Sequence, residues 1–380
     1  MRHFSTPISR IGPLPDEPSL LRRLGNVHWG PLLAAICLSV IGLATIHSAS
    51  SELPVDYFPR QAMWCVIGLV ALATVFSFDY HRLVDLAPFF YGISLFLLVL
   101  VLFVGHEAGG AKSWLTLGPF GGQPSELAKL ATALLLARQL ANANRSHLNL
   151  REIGSAIVLV AIPMILIALE RDLGSAAMFL PMLAGVLLVA GVRMRLLVIA
   201  SVLALVFAAG LWNFGMKDYQ KARIVSFMAP DEDPLGAGYQ VRQSKIAVGS
   251  GQLTGRGYGQ GTQSQLRFLP ARHTDFVMAV LAEEWGFLGV ASVLAFYAFY
   301  VFSATQIAVR SRDRSGILLV VGLVSVFTFH ALYNTAMVVG LLPITGIPLP
   351  FLSYGGSFTL INFMAAGLIL NVDHRRYVNR

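Results

Sequence analysis

RFLPARHTDFVMAVLAEEWG, residues 267–286, carries the chain out of a polar segment, residues 215–274, and into a long apolar run. The run beginning at Asp275 extends to about residue 302, long enough to read as a membrane-spanning helix. Ionisable groups at membrane depth are costly, so an acid at the mouth of such a helix marks a candidate site. Pro270 and the following His-Thr-Asp read as a loop entering a helix, with Thr274 or Asp275 near its N-cap.

The same apolar signal recurs outward in both directions. The chain has 380 residues and is 56% hydrophobic and 13% charged, against about 45–50% and about 25% for a soluble domain. Mean hydropathy is +0.67. Ten spans are expected, near 30–49, 60–77, 87–105, 124–142, 153–170, 174–191, 195–214, 275–302, 316–340 and 356–372. A soluble protein with a very large core is excluded, because these runs lack polar outer faces. The expected fold is an all-α integral membrane protein of about ten transmembrane helices, with a large extracytoplasmic loop, 215–274, between spans seven and eight. Residues 1–28, with Pro7, Pro13, Pro15 and Pro18 and no signal-peptide pattern, read as a polar cytoplasmic tail. Residues 29–380 read as one polytopic membrane domain.

The net charge of +8 does not indicate a nucleic-acid partner here. It follows from arginines gathered on alternate loops: Arg22 and Arg23, Arg82, Arg145 and Arg151, Arg193 and Arg195, Arg310, Arg312 and Arg314, then Arg375, Arg376 and Arg380. The short loops on the other side carry only Arg60, Lys112 and Arg171. The arginine-rich side is thus expected to be cytoplasmic, with both termini on it. Cys37 and Cys65 sit inside apolar runs and read as small packing residues.

Several groups besides Asp275 carry chemistry, and each reads two ways. Asp275 is a surface cap or a catalytic carboxylate; a helix N-terminus favours its ionised form. Glu126 and Lys129, in QPSELAK, lie three residues apart on one helix face. They form an ion pair that lowers the cost of burying both, or Lys129 faces an anionic ligand with Glu126 orienting it. Trp114 is an interfacial aromatic or a stacking platform for a sugar. Arg223, Arg242, Gln243, Lys245 and Arg272, among other basic and amide residues of the long loop, attract lipid headgroups or clamp a pyrophosphate. Residues 239–248 fit a short amphipathic helix on the outer leaflet. The run GSGQLTGRGYGQG, 249–261, matches neither a dinucleotide fingerprint nor a Walker loop; it folds closely over a ligand or is simply flexible. PITGIPLPFLSYGGS, 343–357, reads as a re-entrant segment shaping a pocket, or as a tight loop. His273 and His330 read as packed or hydrogen-bonded histidines. One of Glu283 and Glu284 is expected to face the bundle interior. No acidic cluster is dedicated to a metal; a divalent cation (Mg or Mn) could still share in holding a pyrophosphate.

Taken together, QPSELAK, GTQSQLRFLPARHTDFVMAVLAEEWG and GIPLPFLSYGGS, with the span count and the place of the long loop, resemble the SEDS family (shape, elongation, division and sporulation), the RodA/FtsW group of bacterial peptidoglycan glycosyltransferases. The resemblance covers essentially all of the chain after residue 28, and GTQSQ…FLP…HTDF lies closer to the elongation branch. It implies an enzyme of the bacterial inner (plasma) membrane that polymerises lipid II. The donor would be a glycan on undecaprenyl pyrophosphate, and Asp275 the essential carboxylate acting as general base. It also implicates Trp114, Glu126 and Lys129, and implies a class B penicillin-binding protein as partner, docked near 294–300. A lipid II flippase is the rival reading; its key charges would lie nearer the bilayer midplane.

Overall fold

The computed structural model describes residues 25, 27–51, 55–108, 111–117, 120–143, 148–196, 198–199 and 236–376. Span seven, Arg223 and most of the polar tail lie outside these residues. Within them the chain forms thirteen helices and one small sheet: α1 Gly30–Ser50, α2 Phe58–Ser77, α3 Tyr80–Asp85, α4 Ala87–Val104, β1 His106–Ala108, β2 Ala111–Leu117, β3 Phe120–Gly122, α5 Pro124–Ala141, α6 Leu150–Leu169, α7 Leu173–Ala177, α8 Phe179–Ala190, α9 Ala237–Ser250, α10 Thr262–Gln265, α11 Val277–Arg310, α12 Arg314–Val338 and α13 Gly356–Arg375. Among the described residues, eight helical segments are long and apolar enough to cross a membrane, Leu173–Ala190 counted as one. The chain is a membrane protein, mostly helical.

Helix α5 is the exception that matters. It carries Glu126, Lys129 and Arg138, yet most of its residues are buried by other helices. Helices α4, α8 and α12 pack around it. The lipid-facing helices show the opposite pattern; α6 exposes Ile157, Val158, Ile162, Ile165 and Leu169, which water would penalise and hydrocarbon would not. At one end Arg314 donates to the carbonyls of Ala143 (2.6 Å) and Ala190 (2.9 Å). One guanidinium thus serves the ends of α5 and α8, where helix carbonyls lack partners. Asn371 donates to Val75 (2.8 Å), Phe76 (3.1 Å) and Phe78 at that same end.

Three expectations changed. Residues 106–123, by sequence an outward-facing connection between two spans with no strand expected, form a three-stranded antiparallel sheet, order β1-β2-β3. Ala108 pairs with Ala111 and Leu117 with Phe120, leaving Gly109-Gly110 and Gly118-Pro119 as the intervening sequence, the composition that tight hairpins favour. Span six is interrupted at Met178. Span eight runs on to Arg310 and is broken at Gly286 (φ 66, ψ −164), a backbone region open essentially to glycine alone.

Candidate functional site

Asp275 sits in the turns just before α11, half-buried. The backbone N–H groups of Thr274, Asp275 and Phe276 all donate to the Ala271 carbonyl, at 3.1, 3.1 and 3.3 Å. A second irregular segment lies against this turn. Ser353 Oγ donates to the Thr274 carbonyl (2.6 Å), and the Tyr354 N–H donates to the His273 carbonyl (2.9 Å). Gly346 faces the Asp275 carboxylate: a Cβ there would lie 3.6 Å from Oδ2. Asn334 of α12 joins the two segments, donating to the Asp275 carbonyl (2.8 Å) and the Ile347 carbonyl (2.7 Å) while fully buried. The PITGIPLPFLSYGGS stretch therefore lies beside His273–Asp275. Tyr57 stacks on His273 at 4.3 Å and 11°. Burial first, and the Arg272 charge second, hold the His273 imidazole below its ordinary pKa.

Lys129 and Glu126 form a buried ion pair, Nζ to Oε1 2.9 Å. The ammonium has a second partner, His330 Nε2 at 3.2 Å. His330 Nδ1 lies 3.0 Å from the Pro348 carbonyl, and Phe358 presents its ring 5.7 Å from Nζ. A small cavity of about 40 Å³ borders Glu126, Lys129 and His330 on an otherwise mostly apolar wall that includes Tyr300, Phe327 and Ile369. His330 and Asn334 are four residues apart on α12, hence on one face and about 6 Å apart along the axis. Lys129 is anchored on one turn of α12, and the Asp275 backbone on the next.

The ends of other elements close around this face. The Gln123 N–H donates to Ser357 Oγ (3.2 Å), and its side chain to Asp172 (2.7 Å). The Lys112 N–H donates to the Glu170 carbonyl (3.0 Å). Gly174 lies so close to the Thr345 carbonyl that a side chain would overlap it. All of these lie at the end of the bundle opposite Arg314, in the loops expected to face outward.

The remaining expected site residues are placed as follows. Trp114 is half-buried on β2, opposite His106. Arg272 is buried, not an exposed loop cation. Arg242, Gln243 and Lys245 lie on α9, Arg242 and Lys245 exposed and Gln243 half-buried. The helix expected at 239–248 exists, but its buried face (Val241, Ser244, Ala247) docks on protein, with Ser244 Oγ donating to Val338 (2.7 Å). Lys245 lies across Gly340, just beyond the C-terminus of α12, where a cation is favoured. Among the described residues no three His, Cys, Asp or Glu side chains converge to hold a metal.

The glycine-rich run does something neither reading anticipated. It fills the break in α11. Arg256 and Gly257 donate backbone N–H groups to the Glu283 and Glu284 carbonyls, both 3.0 Å, while Phe287 and Leu288 donate to Gln252 (2.8 Å) and Leu253 (3.1 Å). A side chain at Gly251 or Gly255 would strike the α11 backbone. Both glutamates face inward. Glu283 accepts from Thr262 Oγ1 (3.1 Å) and the Gln263 (2.9 Å) and Ser264 (3.3 Å) N–H groups, and Glu284 from Ser48 Oγ. Sequence reasoning passed over His330 and Asn334 as site residues. Their four-residue spacing was the available signal, but it gains meaning only beside Lys129 and Asp275.

A family model for FtsW, RodA and SpoVE, described as cell cycle protein, matches residues 29–378. The chain belongs to this FtsW/RodA/SpoVE family. It is 38% identical over 370 residues to the peptidoglycan glycosyltransferase MrdB of Escherichia coli K12, covering 96% of this chain and 99% of that one. Identity to the peptidoglycan glycosyltransferase RodA of Treponema pallidum is 32%, over 94% and 99% of the two chains. Among solved structures, a chain of a peptidoglycan synthase complex that coordinates polymerization and crosslinking superposes with TM-score 0.80 and 32% identity, over 93% of this chain and 99% of that one. RodA of Thermus thermophilus, a rod shape determining protein, gives 0.71 and 30%, over 92% and 98%. The fold of this family member is thus the RodA-like membrane fold.

Proposed function

We propose that this chain is a peptidoglycan glycosyltransferase of the bacterial inner (plasma) membrane that polymerises lipid II during cell-wall elongation, with both termini cytoplasmic. The observation that carries the reading is the attachment of Lys129 and the Asp275 backbone to consecutive turns of α12, in a family whose similar members are named for this activity. That arrangement ties the backbone of a proposed proton acceptor and a cation to one helix, the two groups that a displacement with an anionic leaving group requires.

The acceptor sugar hydroxyl oxygen forms a bond to the donor's anomeric carbon, and the bond from that carbon to the pyrophosphate oxygen breaks. The hydroxyl proton passes to the Asp275 carboxylate, help typically worth about 10²–10⁴-fold. Undecaprenyl pyrophosphate departs with the electron pair, its charge met by Lys129. The described residues offer a divalent cation no convergent acidic ligands, so no step is assigned to one. Trp114, Glu126, Arg242, Gln243, Lys245 and Arg272 are proposed to border the substrates. A class B penicillin-binding protein is the proposed partner. On the helix expected to dock it, Leu294, Phe299 and Phe302 are exposed, whereas Tyr297 and Tyr300 point inward and leave that surface.

The test supplies lipid II to purified protein in detergent. Asp275→Asn should cut glycan synthesis by at least about 10²-fold; undiminished synthesis would remove Asp275 from the mechanism. Liposomes in which wild-type protein moves labelled lipid II without making polymer would replace the enzyme by a transporter.

A further inference from the structure

We infer that His330 is a positioning residue that aims the Lys129 ammonium at the leaving anion. This rests on Lys129 meeting that anion, as proposed above. A carbonyl only accepts, so the 3.0 Å contact to Pro348 places the proton of His330 on Nδ1. Nε2 then carries a lone pair, and the ammonium 3.2 Å away donates to it. An ammonium has three N–H donors. Glu126 takes one and His330 a second. Two acceptors on different helices fix the direction of the third donor, which has no acceptor among the described residues.

His330 is itself immobilised. It is buried, its ring packs 5.2 Å from Phe358, and Pro348 belongs to the segment that also holds the Asp275 turn. Glu126 alone would let the flexible lysine swing, because it lies one turn away on the same helix. With His330 bound, Lys129 is tied to α12, and through Asn334 on that helix to Asp275. The separation of the Asp275 backbone and the anion-binding donor is then set by one helix.

Two isosteric replacements separate this role from a merely structural one. Glutamine places its carbonyl oxygen near the position of Nε2 and keeps the acceptor for Lys129, but gives up the Pro348 bond. Asparagine places its amide nitrogen near Nδ1 and keeps the Pro348 bond, but leaves Lys129 without its second acceptor. His330→Gln should retain kcat within about threefold, while His330→Asn should lose about 10–100-fold, the cost expected of a group displaced by about 1 Å. The loss should fall on kcat with KM little changed, because the anion's charge develops as the bond breaks. Any other ordering of the two variants overturns the inference. A second measurement needs no variant to fold. In wild-type protein labelled with ¹⁵N-histidine, one buried ring should show a protonated Nδ1 and a bare Nε2; a set of spectra with no such ring overturns the inference. Lys129→Met judges the underlying reading separately. If that variant polymerises as well as wild type, the anion-binding role of Lys129 fails whatever His330 does.

Discussion

Replacing Asn334 by alanine tests whether the site is held together by α12. The Asn334 amide donates to two carbonyls, Asp275 at 2.8 Å and Ile347 at 2.7 Å, and is fully buried. Alanine leaves both without that donor. An orphaned buried acceptor costs about 1–3 kcal/mol, so the variant should lose about 2–4 kcal/mol, since carbonyls tolerate under-satisfaction better than N–H groups do. The catalytic consequence should exceed the structural one. Released from α12, the His273–Asp275 turn and residues 343–357 can separate, and a shift of about 1 Å in the carboxylate is worth about 10²-fold in rate. Asn371→Ala supplies the control. That amide is equally buried and holds the Val75, Phe76 and Phe78 carbonyls at the opposite end. Thermal unfolding in detergent should show comparable losses for the two variants. Glycan synthesis per folded molecule should fall at least about tenfold for Asn334→Ala and stay near wild type for Asn371→Ala. Equal activity in the two would refute the claim that α12 positions Asp275.

Gly286→Ala should destabilise the protein by about 1–3 kcal/mol from its left-handed backbone alone, and by more because a Cβ would meet Gly255 and Leu253; protease sensitivity of residues 252–262 should rise with it. Glu170, in the turn after α6, has neither carboxylate oxygen hydrogen-bonded among the described residues, and burial, with Asp172 adding, pushes its pKa from 4.5 up to about 8. The folded state therefore holds a proton that the unfolded state releases, and stability falls as pH rises from 4.5 to about 8. Glu170→Gln should melt later than wild type at pH 8, with the advantage gone below pH 4.5. Arg314→Lys cannot reach both carbonyls in a fork. It should lose about 1–2 kcal/mol in unfolding assays with activity per folded molecule unchanged, because Ala143 and Ala190 lie far from Asp275 along the bundle.

What the sequence disclosed depended on range. Membrane helices announce themselves within a window of about 20 residues, so α1, α2, α4, α6, α12 and α13 lay close to their expected limits. The sheet at 106–122 escaped because AKSWLTL alternates over only seven residues between glycine-rich ends, a weak signal beside the apolar runs that flank it. The break at Gly286 escaped for a different reason. Nothing in LAEEWGFLG requires a break until the chain 30 residues earlier supplies Gln252, Leu253, Arg256 and Gly257 to replace the lost helical hydrogen bonds. QPSELAK and HTDF drew attention as charges in apolar surroundings, which local reading can see. Asn334 drew none and His330 read only as a packed or hydrogen-bonded histidine, because a histidine or an asparagine in a helix is unremarkable until its partners, some 200 and 59 residues away in sequence, are known.

The irregular backbone also explains how a polar site can exist inside an apolar bundle. Non-helical chain at membrane depth survives only where protein satisfies its polar groups. Here each irregular stretch is satisfied by another. The 252–257 segment answers the break in α11, the Ser353–Tyr354 pair answers the His273–Thr274 carbonyls, and Asn334 answers Asp275 and Ile347. Such mutual satisfaction is cooperative, since removing one partner orphans the other at full desolvation cost. Flexibility would have been the cheaper solution for a loop in water. In a bilayer the same polar groups can be housed only by fixing them, and that requirement ties the Asp275 backbone and the Lys129 ammonium to neighbouring turns of one helix.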